Sequence, residues 1–283
     1  MTEATIRNDT IDSTQALLRF GALRTISTFV AVLVSLAVIW QSVKAMFNLD
    51  NRILPNIAGI FNALFTPIQQ GKPLLAQILL NSSLFTLREA ALGFALGASI
   101  GFVLAVLLVH SALLERGLMP FVVASQTVPI LAIAPMVVVW LKAGWLSVAV
   151  ISAYLTFFPV TINTLRGLTS VPSTALELMQ SYAATRWQIL IKLRIQQALP
   201  YIFTALKISA TASIVGAIIG ELPSGIQDGL GGAILNFNQY YTSAPERLWA
   251  TNLAAALTGI LAYTLIAVIE RFAVRWNNRN TNA

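Results

Sequence analysis

Apolar residues in this chain fall into runs long enough to cross a bilayer, divided by short polar breaks. About 20 residues of helix cross the roughly 30 Å hydrocarbon layer. On that measure the pattern predicts an all-α polytopic membrane protein with about six spans, at 24–46, 84–109, 119–141, 145–164, 201–221 and 248–271. The third and fourth are separated only by Lys142, Ala143 and Gly144, which predicts a tight helical hairpin. Residues 1–23 and 273–283 are polar tails, and 47–83 is a loop in which Ile57 to Phe65 should form a short interfacial helix after Leu54-Pro55. No small-residue cleavage site follows Leu23 to Trp40, so that stretch is expected to be a retained span and not a signal peptide.

Within the spans two stripes repeat every four residues. Gly93, Gly97 and Gly101, followed by Ala105, lie on one face of the second span and let a neighbouring helix approach closely. Ala205, Ser209, Ser213 and Ala217, followed by Glu221, mark the fifth, where small hydroxyls either pack a helix or line a polar path. Pro129 and Pro135 in the third span and Pro159 in the fourth remove backbone donors and predict bends. Ser125, Gln126 and Thr127 make the most polar point of any span. A polar route through the inner spans would draw on Gln126, Thr127, Tyr154, Asn163, Ser209, Ser213 and Glu221. Glu221 and Asp228 are also expected to sit at the outer face, in water.

The loop at 165–200 departs from the pattern of short breaks. Its stretch 173–200 reads as helix. Pro172 ends the preceding turn, Ser173 or Thr174 can cap, and Glu177 favours the N-terminal dipole. Leu176, Met179, Ala183 and Trp187 share a face, Ala183-Ala184 admits a short turn, and Pro200 closes the segment. Such an element either lies on the lipid surface or docks a soluble protein.

Composition narrows the choice. Hydrophobic residues make up 57% and charged ones 10% of 283 residues, and the mean hydropathy is +0.74. Soluble domains carry about a quarter charged residues, so the bilayer is the solvent. The pI near 10.1 does not indicate nucleic acid, because the basic residues are dispersed between spans. With the N-terminus inside, twelve of the 18 lysines and arginines fall on inner segments, Arg116, Arg166, Arg186 and Arg194 among them. This bias predicts both termini and the 165–200 loop in the cytoplasm. There is no cysteine and a single histidine, His110, at a span end, so no metal site is expected. No Gly-x-x-x-x-Gly-Lys-Ser/Thr phosphate loop is present, so the chain is not expected to hydrolyse ATP or to need a cofactor.

The sequence Glu177, Ala183-Ala184, Arg186-Trp187-Gln188, Leu199-Pro200 resembles the EAA loop of binding-protein-dependent ABC importer permeases. Ser83-Leu84 to Gly93 is similar to that family's first core span. The run Val128-Pro129-Ile130-Leu131-Ala132-Ile133-Ala134-Pro135 is similar to its nitrate/sulfonate/taurine branch, and Gly220-Glu221 to Gly231 resembles members carrying riboflavin or thiamine-precursor pyrimidines. The chain departs from the pattern at Leu178 and Met179, where alanines are usual, at Ala183, where glycine is usual, and at Gln196, where proline is usual. The resemblance implies a MetI-like type I importer permease with its core at 84–272, in the cytoplasmic (inner) membrane. It implies two permease copies, two cytoplasmic ATP-binding subunits gripping Glu177, Ala183, Ala184, Arg186 and Trp187, and an extracytoplasmic solute-binding protein.

Two other classes stay open on the residues alone. An ion-coupled carrier would show buried ionisable groups or internal repeats, and an intramembrane enzyme would need a paired nucleophile and base. For the substrate, a flat heterocycle would stack on the aromatic outer loop, Phe237, Tyr240 and Tyr241, whereas a small oxyanion such as nitrate or a sulfonate would want a cationic mouth.

Overall fold

The computed structural model describes residues 27–28, 30–68, 71 and 73–274. The predicted tails at 1–23 and beyond 274, and the first residues of the first span, lie outside them. Two compact units are present, residues 1–62 and 63–283. In the first, helix α1 covers Val30–Met46. Trp40 Nε1 donates to the Pro55 carbonyl at 3.0 Å and Lys44 Nζ donates to Leu54 O at 2.5 Å, so the loop after α1 folds back on its last turns. The predicted interfacial helix is present as α2, Ile57–Leu64.

The second unit is built from α3 (Leu75–His110), α4 (Ala112–Ser125), α5 (Ile130–Leu141), α6 (Trp145–Thr169), α7 (Ser173–Ser181), α8 (Arg186–Ile189), a π-helical turn (Leu190–Arg194), α9 (Ile195–Ser224), α10 (Leu230–Gln239) and α11 (Pro245–Ala273). Four helices among the described residues are long and apolar enough to cross a membrane, and five if α4 and α5 count as one broken span. The expected six spans are thus approximate. α3 begins nine residues before the predicted start and, at about 1.5 Å per residue, is longer than the bilayer is thick.

The core is the packing of α3 against α6 and of α6 against α9. In lipid, apolar side chains gain nothing by meeting each other, so association rests on close contact. The glycine stripe supplies it. A Cβ at Gly101 would come within 2.6 Å of the Phe157 carbonyl, one at Gly97 would strike the Ala153 carbonyl, and one at Gly93 the Ser152 side chain. These contacts advance together along both helices, so α3 and α6 run parallel. On the other side of α6, Gly216 and Gly220 of α9 meet Ser152 and Val148, and that pair runs antiparallel.

Parallel α3 and α6 require a return stroke between them. α4 and α5 provide it, meeting at 96°. Pro129 therefore does not bend one helix, as the pattern suggested. It stands as N-cap of a new one with extended ψ, because a proline disfavours the helical region for the residue before it and cannot donate to the turn it follows. The hairpin at 142–144 is present, with Lys142 left-handed at φ 65°. Lys207 Nζ and Glu270 Oε2, 2.7 Å apart, join α9 to α11.

The glycine contacts make a measurable claim. Gly97→Val should lower thermal stability in detergent by about 1–3 kcal/mol, as overpacking does. Gly259→Val on α11, where an added Cβ meets nothing within 4 Å, should leave the transition where it was.

Candidate functional site

The 165–200 loop forms two helices, α7 and α8, joined by a short turn. α6 ends at Thr169, where Ser170 Oγ donates to the Gly167 carbonyl at 2.8 Å. α7 starts after Pro172 without the side-chain cap expected from Ser173 or Thr174. Leu176 and Met179 turn inward and Glu177 outward. The helix stops at Ser181, and Ala183 takes φ +53°. That left-handed residue ends the 3.6-residue period, so Ala183 and Trp187 do not share the face of Leu176 and Met179. Leu178, Tyr182 and Trp187 are instead 57%, 77% and 66% exposed.

The second helix is set by a capping box that the sequence carries as Thr185-x-x-Gln188. Gln188 N donates to Thr185 Oγ1 at 3.3 Å, and Thr185 N donates to Gln188 Oε1 at 2.8 Å. From α8 the chain passes through the π turn into α9 without a break. Leu199 and Pro200 consequently lie inside α9, and Pro200 does not close the segment. Packing carries the helix past the missing donor: Leu190, Ala198 and Ile202 are buried with Ala105 and Leu108 of α3 and Leu165 and Leu168 of α6. Trp187 also meets the His110 ring at 5.8 Å, and Arg194 Nη1 reaches the Leu168 carbonyl at 3.4 Å. The α8 part of the loop is thus an extension of α9 braced on the ends of α3 and α6, and the loop leaves Leu178, Tyr182 and Trp187 largely exposed. Arg186 stands exposed beside it, and Ala184 half-buried.

The residues nominated for a polar route do not converge on one place. Gln126 and Thr127 lie exposed at the break between α4 and α5. Tyr154 of α6 joins them, its hydroxyl donating to the Ser125 carbonyl. Asn163, half-buried two and a half turns further along α6, donates to the Pro159 carbonyl at 2.9 Å. Ser209 and Ser213 belong to the α6–α9 seam. Ser209 Oγ donates to Thr156 O at 3.2 Å, and Ser213 O accepts from Ser152 Oγ at 2.9 Å.

Glu221 is not at a solvated face. It is fully buried, with Thr86 Oγ1 donating to its Oε1 at 2.6 Å and Gly231 N donating to its Oε2 at 2.6 Å. The reason is α10, which folds back over the end of α9 and covers it. Asp228 is exposed as expected. Glu89, missed in the sequence reading, is buried beside Glu221. The available signal was its place one turn before Gly93, on the packing stripe of α3. Phe237 is buried in α10 and offers no stacking surface, whereas Tyr240 is exposed. Among the described residues no cluster of histidine and acidic side chains could hold a metal ion.

Residues 97–282 match the family described as "Binding-protein-dependent transport system inner membrane component". The chain is 31% identical to the riboflavin transport system permease protein RibX of Chloroflexus aurantiacus, over 86% of this chain and 88% of that one. It is 31% identical to the formylaminopyrimidine transport permease protein ThiX of Halalkalibacterium halodurans, over 69% and 76%. Against the putative aliphatic sulfonates transport permease protein SsuC of Bacillus subtilis the identity is 28%, over 85% and 84%. A crystal structure of an amino acid ABC transporter, 15% identical, superposes with a TM-score of 0.57 over 69% of this chain and 94% of that chain, a likeness of fold.

The left-handed Ala183 yields a direct expectation. An L-residue there costs about 1–2 kcal/mol that glycine does not. Ala183→Gly should therefore raise the thermal midpoint in detergent by an amount worth about 1 kcal/mol, after allowing for glycine's greater unfolded-state entropy.

Proposed function

The chain belongs to the binding-protein-dependent transport system inner membrane component family, the permeases of ABC importers, and from that premise we propose how it is driven and what it carries. The α7–α8 knob, Leu178, Tyr182 and Trp187 with Glu177 and Arg186 beside it, docks into a separate cytoplasmic ATP-binding subunit. The supporting observation is mechanical. Exposed apolar side chains on a loop are ordinarily unfavourable, yet Trp187 is mounted on α9 through Leu190. Work passes between two subunits only through contacts that differ between two states. A stiff arm continuous with a membrane-crossing helix meets that need.

Two copies of the permease form the pathway, with the exposed flank of α5, Leu131, Val139 and Trp140, facing the second copy and the α4–α5 break opening toward the solute. An extracytoplasmic binding protein delivers that solute to the α10 end. Both termini and the α7–α8 loop lie in the cytoplasm, in keeping with the distribution of lysine and arginine.

The solute is a flat, vitamin-like heterocycle, riboflavin or a related pyrimidine. The two relatives at 31% identity bear the names of such substrates. The α4–α5 break offers amide, hydroxyl and phenol groups, Gln126, Thr127 and Tyr154, suited to a polar heterocycle, and no lysine or arginine of that group to hold an oxyanion. A sulfonate or nitrate solute is the second reading, favoured by the 28% identity to the Bacillus subtilis protein.

Purification with the ATP-binding subunit tests the docking. Trp187→Glu should weaken co-elution by about 2 kcal/mol or more, the cost of losing an aromatic anchor, and stop ATP-driven uptake in proteoliposomes. Unchanged ATP-driven uptake would rule out Trp187 as the docking anchor, and uptake by this chain without nucleotide would place it among carriers not driven by ATP. Uptake of labelled riboflavin, a pyrimidine, taurine and nitrate through the assembled importer decides between the substrates.

A further inference from the structure

The Glu89–Glu221 pair is the least compensated feature of the molecule. Glu89 is 4% and Glu221 0% exposed, and Thr86, one turn before Glu89 on the same face of α3, bonds the Glu221 carboxyl, which brings the two acidic side chains to one level of the bundle. Among the described residues no cation pairs with them. The ion pair among the described residues is Lys207–Glu270, and Lys207 lies about 21 Å down α9 at 1.5 Å per residue. Arg88, next to Glu89, and Asp228, ahead of α10, are both exposed. Arg247 of α11 donates to the Ile68 carbonyl at 3.3 Å, and α6 brings no ionisable side chain to this level.

The hydrogen bonds distinguish the two carboxyls. Glu221 has a donor on each oxygen, Thr86 and Gly231, which favours its ionised form. Both Glu89 oxygens are buried and receive no donor. A second carboxylate there would be desolvated, unpaired and next to a like charge, the costliest arrangement available in a membrane interior. A carboxylic acid at Glu89 removes all three penalties, because its O–H can donate to Glu221.

We infer that Glu89 holds a proton and donates it to the Glu221 carboxylate, and that this one-proton pair is the latch seating α10 on α3 and α9. The latch has a fixed place for each part. Thr86 Oγ1 donates to Glu221 and accepts from Leu230 N at 2.9 Å, while Glu221 accepts from Gly231 N, so the first amides of α10 close on the acidic pair. Glycines at 229 and 231 are required by the same geometry. A Cβ at Gly229 would overlap the Glu221 carboxyl, and one at Gly231 would lie 2.7 Å from Glu221 Cβ. The proton therefore sets whether the hairpin covering the far end of α9 stays down.

Infrared spectroscopy of the full chain in lipid nanodiscs at neutral pH tests this, with isotope-labelled glutamate identifying the bands. A protonated-carboxyl stretch that shifts in D2O should be present in the native protein and absent in Glu89→Gln. Amide exchange at 229–237 should stay within about twofold of native in Glu89→Gln, whose amide donates in place of the acid. It should accelerate at least tenfold in Glu89→Ala and in Glu221→Gln. Absence of the acid band from the native protein overturns the inference, and that measurement stands even if a variant fails to fold. So would a band that survives Glu89→Gln, equal loosening by Gln and Ala at position 89, or protection of α10 that depends on added sodium or potassium.

Discussion

In a bilayer, apolar side chains are as comfortable against lipid as against each other, so the bundle depends on how closely its backbones can approach. Gly93, Gly97 and Gly101 bring α3 onto α6 without intervening side chains, and Gly216 and Gly220 bring α9 onto the opposite side of α6. Dispersion at this range, with the Ser152 and Ser209 hydroxyls bonded across the seam, replaces the hydrophobic drive that holds soluble cores together. The parallel course of α3 and α6 follows from that contact. It in turn obliges α4 and α5 to carry the chain back, and the prolines flanking that path let it break.

The same close packing fixes the start of α9. Its first turns continue from α8 through the π turn, and Leu190, Ala198 and Ile202 lock it to α3 and α6. Trp187, on α8, joins α9 with no loop between them, whereas Tyr182 lies on the other side of the left-handed turn at Ala183. A π turn in this position is a common mark of a helix adjusted for function.

At its other end α9 meets α10 through Glu221, Glu89 and Thr86, where the bundle trades dispersion for hydrogen bonds in a site closed to water. Buried polar groups without full partners are costly in proportion to their charge. The arrangement therefore constrains protonation and hairpin position together. The hinge-like elements of the fold, the α4–α5 break, the Ala183 turn and the α10 hairpin, all attach to the one rigid seam of α3, α6 and α9.

The chain's own pattern determined the solvent, the helical class, the glycine face of α3 and the family, since these depend on local composition and on spacing along one helix. It also carried the capping box at Thr185 and Gln188. What it could not determine depended on contacts between distant segments. Whether Pro200 ends a helix was decided by Ala198 and Ile202 packing on α3 and α6. Whether Pro129 bends a span or starts a new helix was decided by the return path that α3 and α6 impose. Glu221 reads as solvated beside its polar neighbours in sequence, and only α10 folding over it, with Glu89 arriving from a helix more than a hundred residues earlier, makes it a buried carboxyl.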